Sequence, residues 1–160
     1  MVVQILKPDI FSVGARDWDR RLFDELIPLP DGTTYNAYLI KGSQKTALLD
    51  TVDPPKKHEL LENLQEIGIE RIDYLISHHA EQDHSGTIPA VLEQFPMAQV
   101  VTNQKCRALL QEHLLIPDEK FKIINDGEEL SLGNKTLRFI FTPWVHWPET
   151  ISTYLEEDKI

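Results

Sequence analysis

The sequence predicts a single α/β domain, and three observations carry that reading. Apolar runs of strand length alternate with segments of helical spacing between residues 35 and 124. Gly, Pro, Asn or Asp stands at several of the breaks between them. The chain has 160 residues, 41% of them hydrophobic, enough for one core that covers roughly 70% of the unfolded chain's surface.

Taken in order, Met1 to Phe23 alternates polar and apolar residues and carries Arg16, Arg20 and Arg21, without the apolar stretch that a secretory signal requires. Tyr35 to Ile40 and Thr46 to Thr51 are β-prone runs joined by Gly42 and Ser43, which predicts a hairpin. Asp53 before Pro54 and Pro55 reads as a cap entering a helix, with Leu60, Leu61, Leu64 and Ile67 on one face and Gly68 at its end. A strand at Ile72 to Ser77 follows, then a polar loop, then helical spacing at Ile88, Val91, Leu92 and Phe95 that Pro96 stops. The alternation continues with a strand at Gln99 to Thr102, a helix from about Asn103 to Leu114 and a strand at Phe121 to Ile124. Beyond Asp126-Gly127 the pattern changes to strands alone: Glu129 to Leu132, Thr136 to Thr142 and Ile151 to Leu155. Glu157-Asp158 is a turn signal, and Lys159-Ile160 reads as the first step of another strand.

Charge and composition exclude several functions. The formal net charge of -10, from 26 acidic against 16 basic residues, repels phosphate backbones and anionic lipid. Nucleic acid and membrane are therefore not expected partners, whereas metal or other cationic partners fit. No apolar run approaches the eighteen or so residues that span a bilayer. The single cysteine, Cys106, closes no intramolecular disulfide and suggests a cytoplasmic setting. It shares a helix face with Leu109 and Leu110 and reads as core filling. Trp18 likewise reads as packing, and His58 and His113 as structural or surface residues.

The chemistry concentrates in His78, His79, Glu81, Asp83 and His84, which follow an apolar strand and precede Ser85-Gly86 and a helix. Such a crowd of carboxylates and imidazoles at the end of a buried strand, without a Lys or Arg among them, needs a cation, and a metal ion is the usual one. The carboxyl ends of strands are also where α/β sheets place their ligands. If the segment is extended, His79, Glu81 and Asp83 point one way and His84 is offset, an arrangement for two adjacent metals. His146, between rigid prolines and two indoles in Pro143-Trp144-Val145-His146-Trp147-Pro148, is the next candidate.

His79-x-Glu81-x-Asp83-His84-Ser85-Gly86, with His146-Trp147-Pro148-Glu149 further on, resembles the metallo-β-lactamase-like domain of flavodiiron proteins. The wider superfamily has His-x-His-x-Asp-His, and Glu81 in place of the second histidine marks the diiron branch. Tyr35-Asn36-Ala37-Tyr38-Leu39-Ile40 and Leu48-Leu49-Asp50-Thr51 are similar to the family's opening strands. The resemblance implies an αβ/βα sandwich of which this chain holds only the N-terminal portion. It implies two non-haem iron ions reducing dioxygen to water or nitric oxide to nitrous oxide. Electrons would come from FMN on a flavodoxin-like domain beyond this chain, fed by a rubredoxin or a reductase, in a cytoplasmic homodimer. Carried over by position, His79, Glu81 and His146 hold one iron, while Asp83, and in some members His84, hold the second. His78 stays outside the ligand set. A bridging Asp and a further His of the family pattern fall beyond Ile160, so the 160 residues are expected to be an incomplete domain. A binuclear-metal hydrolase of the same superfamily and a non-catalytic fragment are the alternative readings, the metal being the discriminator.

Overall fold

The computed structural model describes residues 3–23 and 25–160. Its centre is a seven-stranded sheet of β1 (Gln4–Lys7), β2 (Ile10–Ser12), β7 (Tyr38–Lys41), β8 (Thr46–Leu49), β9 (Tyr74–Ile76), β10 (Gln99–Thr102) and β11 (Phe121–Ile123), in that spatial order. Pairing is antiparallel as far as β8 and parallel from β8 onward. The parallel half is where helices α1 (Lys57–Glu66), α3 (Ile88–Gln94) and α4 (Gln104–Leu114) make the crossovers. A second sheet of β12 (Glu129–Ser131), β13 (Thr136–Phe141) and β14 (Ile151–Leu155) is wholly antiparallel. Two short ribbons complete the sheets: β3 (Ala15–Asp17) with β6 (Thr33–Tyr35), and β4 (Leu22–Phe23) with β5 (Ile27–Pro28).

Strand periodicity of two divides the core into two layers. Phe11, Leu39, Leu48, Leu75, Val100 and Phe121 form one cross-strand row. That row belongs to the helix-side cluster, with Leu60 and Leu64 of α1, Ile88 and Val91 of α3, and Cys106 and Leu110 of α4. Their neighbours Ile40, Ala47, Leu49, Ile76 and Val101 belong to the opposite cluster, with Leu130, Leu137, Phe139, Ile151 and Leu155 of the three-stranded sheet. The layers are therefore helices, large sheet and small sheet. Truncating a fully buried member such as Leu48 to Ala costs about 2–5 kcal/mol.

Most expected elements are present, and the departures have physical causes. The Tyr35 to Ile40 run is two strands: the chain breaks at Asn36-Ala37, where the Ala37 carbonyl accepts from Val13 N–H at 2.9 Å, and Tyr35 pairs with Ala15 instead. The Asp53 carboxylate caps no helix; it is taken by Arg20 at 2.9 Å and Gln82 at 3.2 Å, and a 3-10 turn at Pro54–Lys56 leads into α1. Gly68, with φ of +72°, ends α1 as expected. Lys159-Ile160 does not begin a strand. Lys159 adopts φ of 57°, and the chain folds back so that the Ile160 carbonyl accepts from Leu155 N–H at 2.8 Å. Trp18 does not pack either, being 64% exposed. Near the N-terminus, β1 to β3 were not anticipated, because three- and four-residue strands carry too little periodicity to stand out.

Candidate metal centre

The site lies at the carboxyl ends of β8 and β9, beside the loop that joins β13 to β14. After β9 the chain bends at His78 and reaches Glu81 in an extended conformation (φ −62°, ψ 141°), then turns into the single-turn helix α2 (Gln82–Ser85). The expectation of an extended segment thus holds at Glu81 and fails from Gln82 onward. The turn brings Asp83 and His84 back beside His79. It is held by Thr51, whose N–H and hydroxyl both donate to the His84 carbonyl at 2.8 and 2.7 Å, and by Ser85 Oγ, which donates to the Ala80 carbonyl at 2.9 Å. Gly86 is required by space: a Cβ there would lie 2.6 Å from the Gln82 carbonyl oxygen and 2.7 Å from Pro54 Cδ.

All five expected residues come together. His79, Glu81 and His146 each offer a donor atom, all within 4.8 Å of one another, and His79, Asp83 and His84 form a second such group. His79 is buried and common to both; its ring centroid lies 4.5 Å from that of His84 and 5.0 Å from that of His146. His146 Nε2 is 2.7 Å from Glu81 Oε2, and His79 Nε2 is 3.3 Å from the same oxygen. Trp147 lies edge-on to the His79 ring with centroids 6.2 Å apart.

His78 is committed elsewhere: Asp50 Oδ2 takes its Nδ1 at 2.9 Å and Thr153 Oγ1 its Nε2 at 2.8 Å, so neither ring nitrogen is free for a metal. Asp50, at the end of β8, is the residue that sequence reasoning missed as part of the site. It has φ of 56°, and it accepts from the His78 N–H at 2.9 Å while lying 3.3 Å from His84 Nδ1. Its place at a strand's carboxyl end was the available signal.

The electrostatics suit a cation. Burial lowers the His79 imidazole's basicity, and the charge of His84 adds to this, outweighing the nearby carboxylates. Burial and the adjacent Glu81 raise the Asp83 carboxyl. His84 is shifted upward: burial opposes the charge, but Asp50, Asp83 and Glu81 prevail. Burial likewise opposes ionisation of Asp50, yet His78 and His84 hold its carboxyl well below the usual range. Asp83 Oδ1 and His84 Nδ1 are buried without an aligned hydrogen-bond partner among the described residues, the 3.3 Å approach to Asp50 being an ion-pair contact. Unpartnered buried donors and acceptors in a mixed imidazole and carboxylate set fit a metal ion.

A helix layer over a mixed seven-stranded sheet, with a histidine and carboxylate cluster at the ends of its parallel strands, defines a metallo-β-lactamase-like fold. Residues 33–160 match the family described as "ODP family beta lactamase", and the chain belongs to that family. It is 41% identical over 153 residues to the nitric oxide reductase of Moorella thermoacetica, covering 94% of this chain and 38% of that protein. It is 38% identical over 156 residues to the coenzyme F420H2 oxidase of Methanothermobacter marburgensis, again 94% of this chain and 38% of the relative. Among solved structures, rubredoxin oxygen:oxidoreductase from Desulfovibrio gigas superposes with a TM-score of 0.92 at 34% identity, over 98% of this chain and 39% of that one. The resemblance to the diiron domain of flavodiiron proteins thus holds. The chain spans well under half the length of the curated relatives it matches.

Proposed function

We propose that this chain forms the metal-binding part of a flavodiiron oxidoreductase that reduces dioxygen to water, nitric oxide to nitrous oxide, or both. The observation that carries the reading is Glu81 set between His79 and His146, a carboxylate where an all-imidazole group would suit zinc better. In this reading His79, Glu81 and His146 hold one non-haem iron, and Asp83 and His84 the second. When bound, the iron pair supplies the coordination positions and the redox change that the reduction of a diatomic molecule needs. The chain's own part is to keep five donors in place: Asp50 orients His78 and flanks His84, α2 turns Asp83 and His84 inward, and the β13–β14 loop presents His146. The two carboxylates, Glu81 and Asp83, would offset part of the charge of an iron pair, and the three imidazoles would add donors without charge.

The short coverage of its relatives supports a larger polypeptide that completes the domain and adds a flavodoxin-like domain with FMN. We place the assembly in the cytoplasm as a homodimer fed by a rubredoxin or a reductase; no helix among the described residues is long and apolar enough to cross a membrane. The test is to purify the full polypeptide anaerobically, measure iron per chain by elemental analysis, and follow nitric oxide and dioxygen consumption with a reduced donor. Two irons with turnover of either gas supports the reading. Zinc in place of iron, with hydrolysis of an ester or amide, would replace it with the hydrolase alternative.

A further inference from the structure

Glu149 closes the His-Trp-Pro-Glu motif, yet the metal-binding reading gives it no task. It is the most deeply buried acidic residue among those described, 1% exposed, and no Lys or Arg pairs with it there. Its Oε1 accepts from the Ala80 N–H at 3.1 Å. Ala80 is the residue between His79 and Glu81, so that one bond joins the His146 loop to the segment from which two expected ligands project. The Glu149 carbonyl accepts from Asn103 Nδ2 at 2.6 Å, while Asn103 Oδ1 caps α4 through the Cys106 N–H at 2.9 Å. The loop is closed further by the Trp147 N–H donating to Thr150 Oγ1 at 2.9 Å, and by the Ile151 N–H donating to the His78 carbonyl at 2.9 Å.

From this geometry we infer that Glu149 is a positioning residue that latches the His146 loop onto the His79-Ala80-Glu81 segment and so sets the spacing of the His79, Glu81 and His146 group. The inference rests on the reading of that group as a metal site. His146 stands three residues before Glu149 on a loop between two strands, with its side chain half exposed. Without the Glu149 side chain the loop would keep its own turn bonds and those of its base to Asn103 and His78, but among the described residues no bond other than the Glu81 to His146 contact would join it to the His79-Ala80-Glu81 segment. Glu149 supplies the tether from beneath. Burying a carboxylate whose second oxygen, Oε2, finds no partner is costly. A tether that reaches from a loop to a backbone amide needs the length of a Glu or Gln side chain and an acceptor at its end. An Asp falls one methylene short.

The test uses the full chain and cobalt(II) alone, titrated by its visible absorption band, with Glu149→Ala, Glu149→Gln and Glu149→Asp each made in the native and the His146→Ala backgrounds. Glu149→Ala is expected to weaken cobalt affinity more than about tenfold in the native background and less than about threefold in the His146→Ala background, since outer-shell partners are worth 10–100-fold. Glu149→Gln keeps the acceptor and retains affinity within about threefold, while Glu149→Asp behaves as Glu149→Ala. Equal losses in both backgrounds would make Glu149 a general packing residue and overturn the latch. So would a Gln variant as weak as the Ala variant, or an Ala variant as tight as the native chain. If Glu149→Ala does not fold, the contrast between Gln and Asp decides. A native chain that binds no cobalt overturns the metal reading and the latch together, whereas a native chain that binds while the variants follow none of these contrasts overturns the latch alone.

Discussion

Nε2 of His146 and Oε2 of Glu81 lie 2.7 Å apart although 65 positions separate them in the sequence. A half-exposed imidazole and a partly buried carboxylate brought into contact next to a buried His79 leave a donor set whose natural third party is a cation.

Glu81 is therefore expected to matter for metal content where a carboxylate on a helix's outer face does not. Glu81→Ala should lower bound iron or cobalt affinity at least tenfold, about what loss of even an outer-shell partner costs. Glu93→Ala, on the exposed side of α3, should leave it unchanged. Elemental analysis and metal titration of the two variants check this, and equal loading would remove Glu81 from the ligand set.

Metal affinity should fall as pH drops through the raised folded-state pKa of His84, because a metal must displace that proton. The sign for the metal-free protein is opposite. An imidazole raised in the fold contributes stability that is complete below the ordinary value of about 6.5 and is lost as pH rises through the folded value. Asp50→Asn removes the carboxylate that contributes most to raising His84, so its affinity midpoint should move to lower pH. Calorimetric titration with zinc(II) between pH 5 and 8 measures both midpoints.

Asp73 offers a pH test away from the site. It is buried at the start of β9, where it accepts from the Thr46 N–H at 2.9 Å and pairs with Lys45 at 3.1 Å and with Arg71. Burial opposes its charge, but these partners outweigh it and lower its carboxyl. Its contribution is thus present above the unfolded carboxyl value of about 3.9 and lost as pH falls through the lower folded value. Asp73→Asn should cost about 1.5–3 kcal/mol at neutral pH, the range for hydrogen bonds to charged groups. Urea unfolding at pH 7 and pH 3 should show that difference shrinking at the lower pH.

Cys106 should be inert. It is fully buried on α4, and burial pushes its thiol up to about 12. An aromatic disulfide reagent at pH 8 should label it only on the timescale of unfolding, with full labelling in denaturant. Rapid labelling of the native chain would contradict its place in the core.

The sequence by itself determined what local pattern can express. Apolar runs and helical spacing, several of them bounded by Gly, Pro, Asn or Asp, placed β8 to β14 and α1, α3 and α4 to within a few residues. Residue types at close spacing marked His78, His79, Glu81, Asp83 and His84, since a crowd of carboxylates and imidazoles without a cation is a local anomaly, while the resemblance to flavodiiron proteins set His78 aside and added His146. Only the tertiary structure decided which of them meet and what holds them. Asp50 reaches His78 across 28 positions and Glu149 reaches Ala80 across 69. Asp53 looked like a cap, but Arg20, 33 positions away, competes for its carboxylate at 2.9 Å. Such contacts depend on chain ends of loops meeting in space, and no periodicity along the chain records a distance between strands that are neighbours only in the folded sheet.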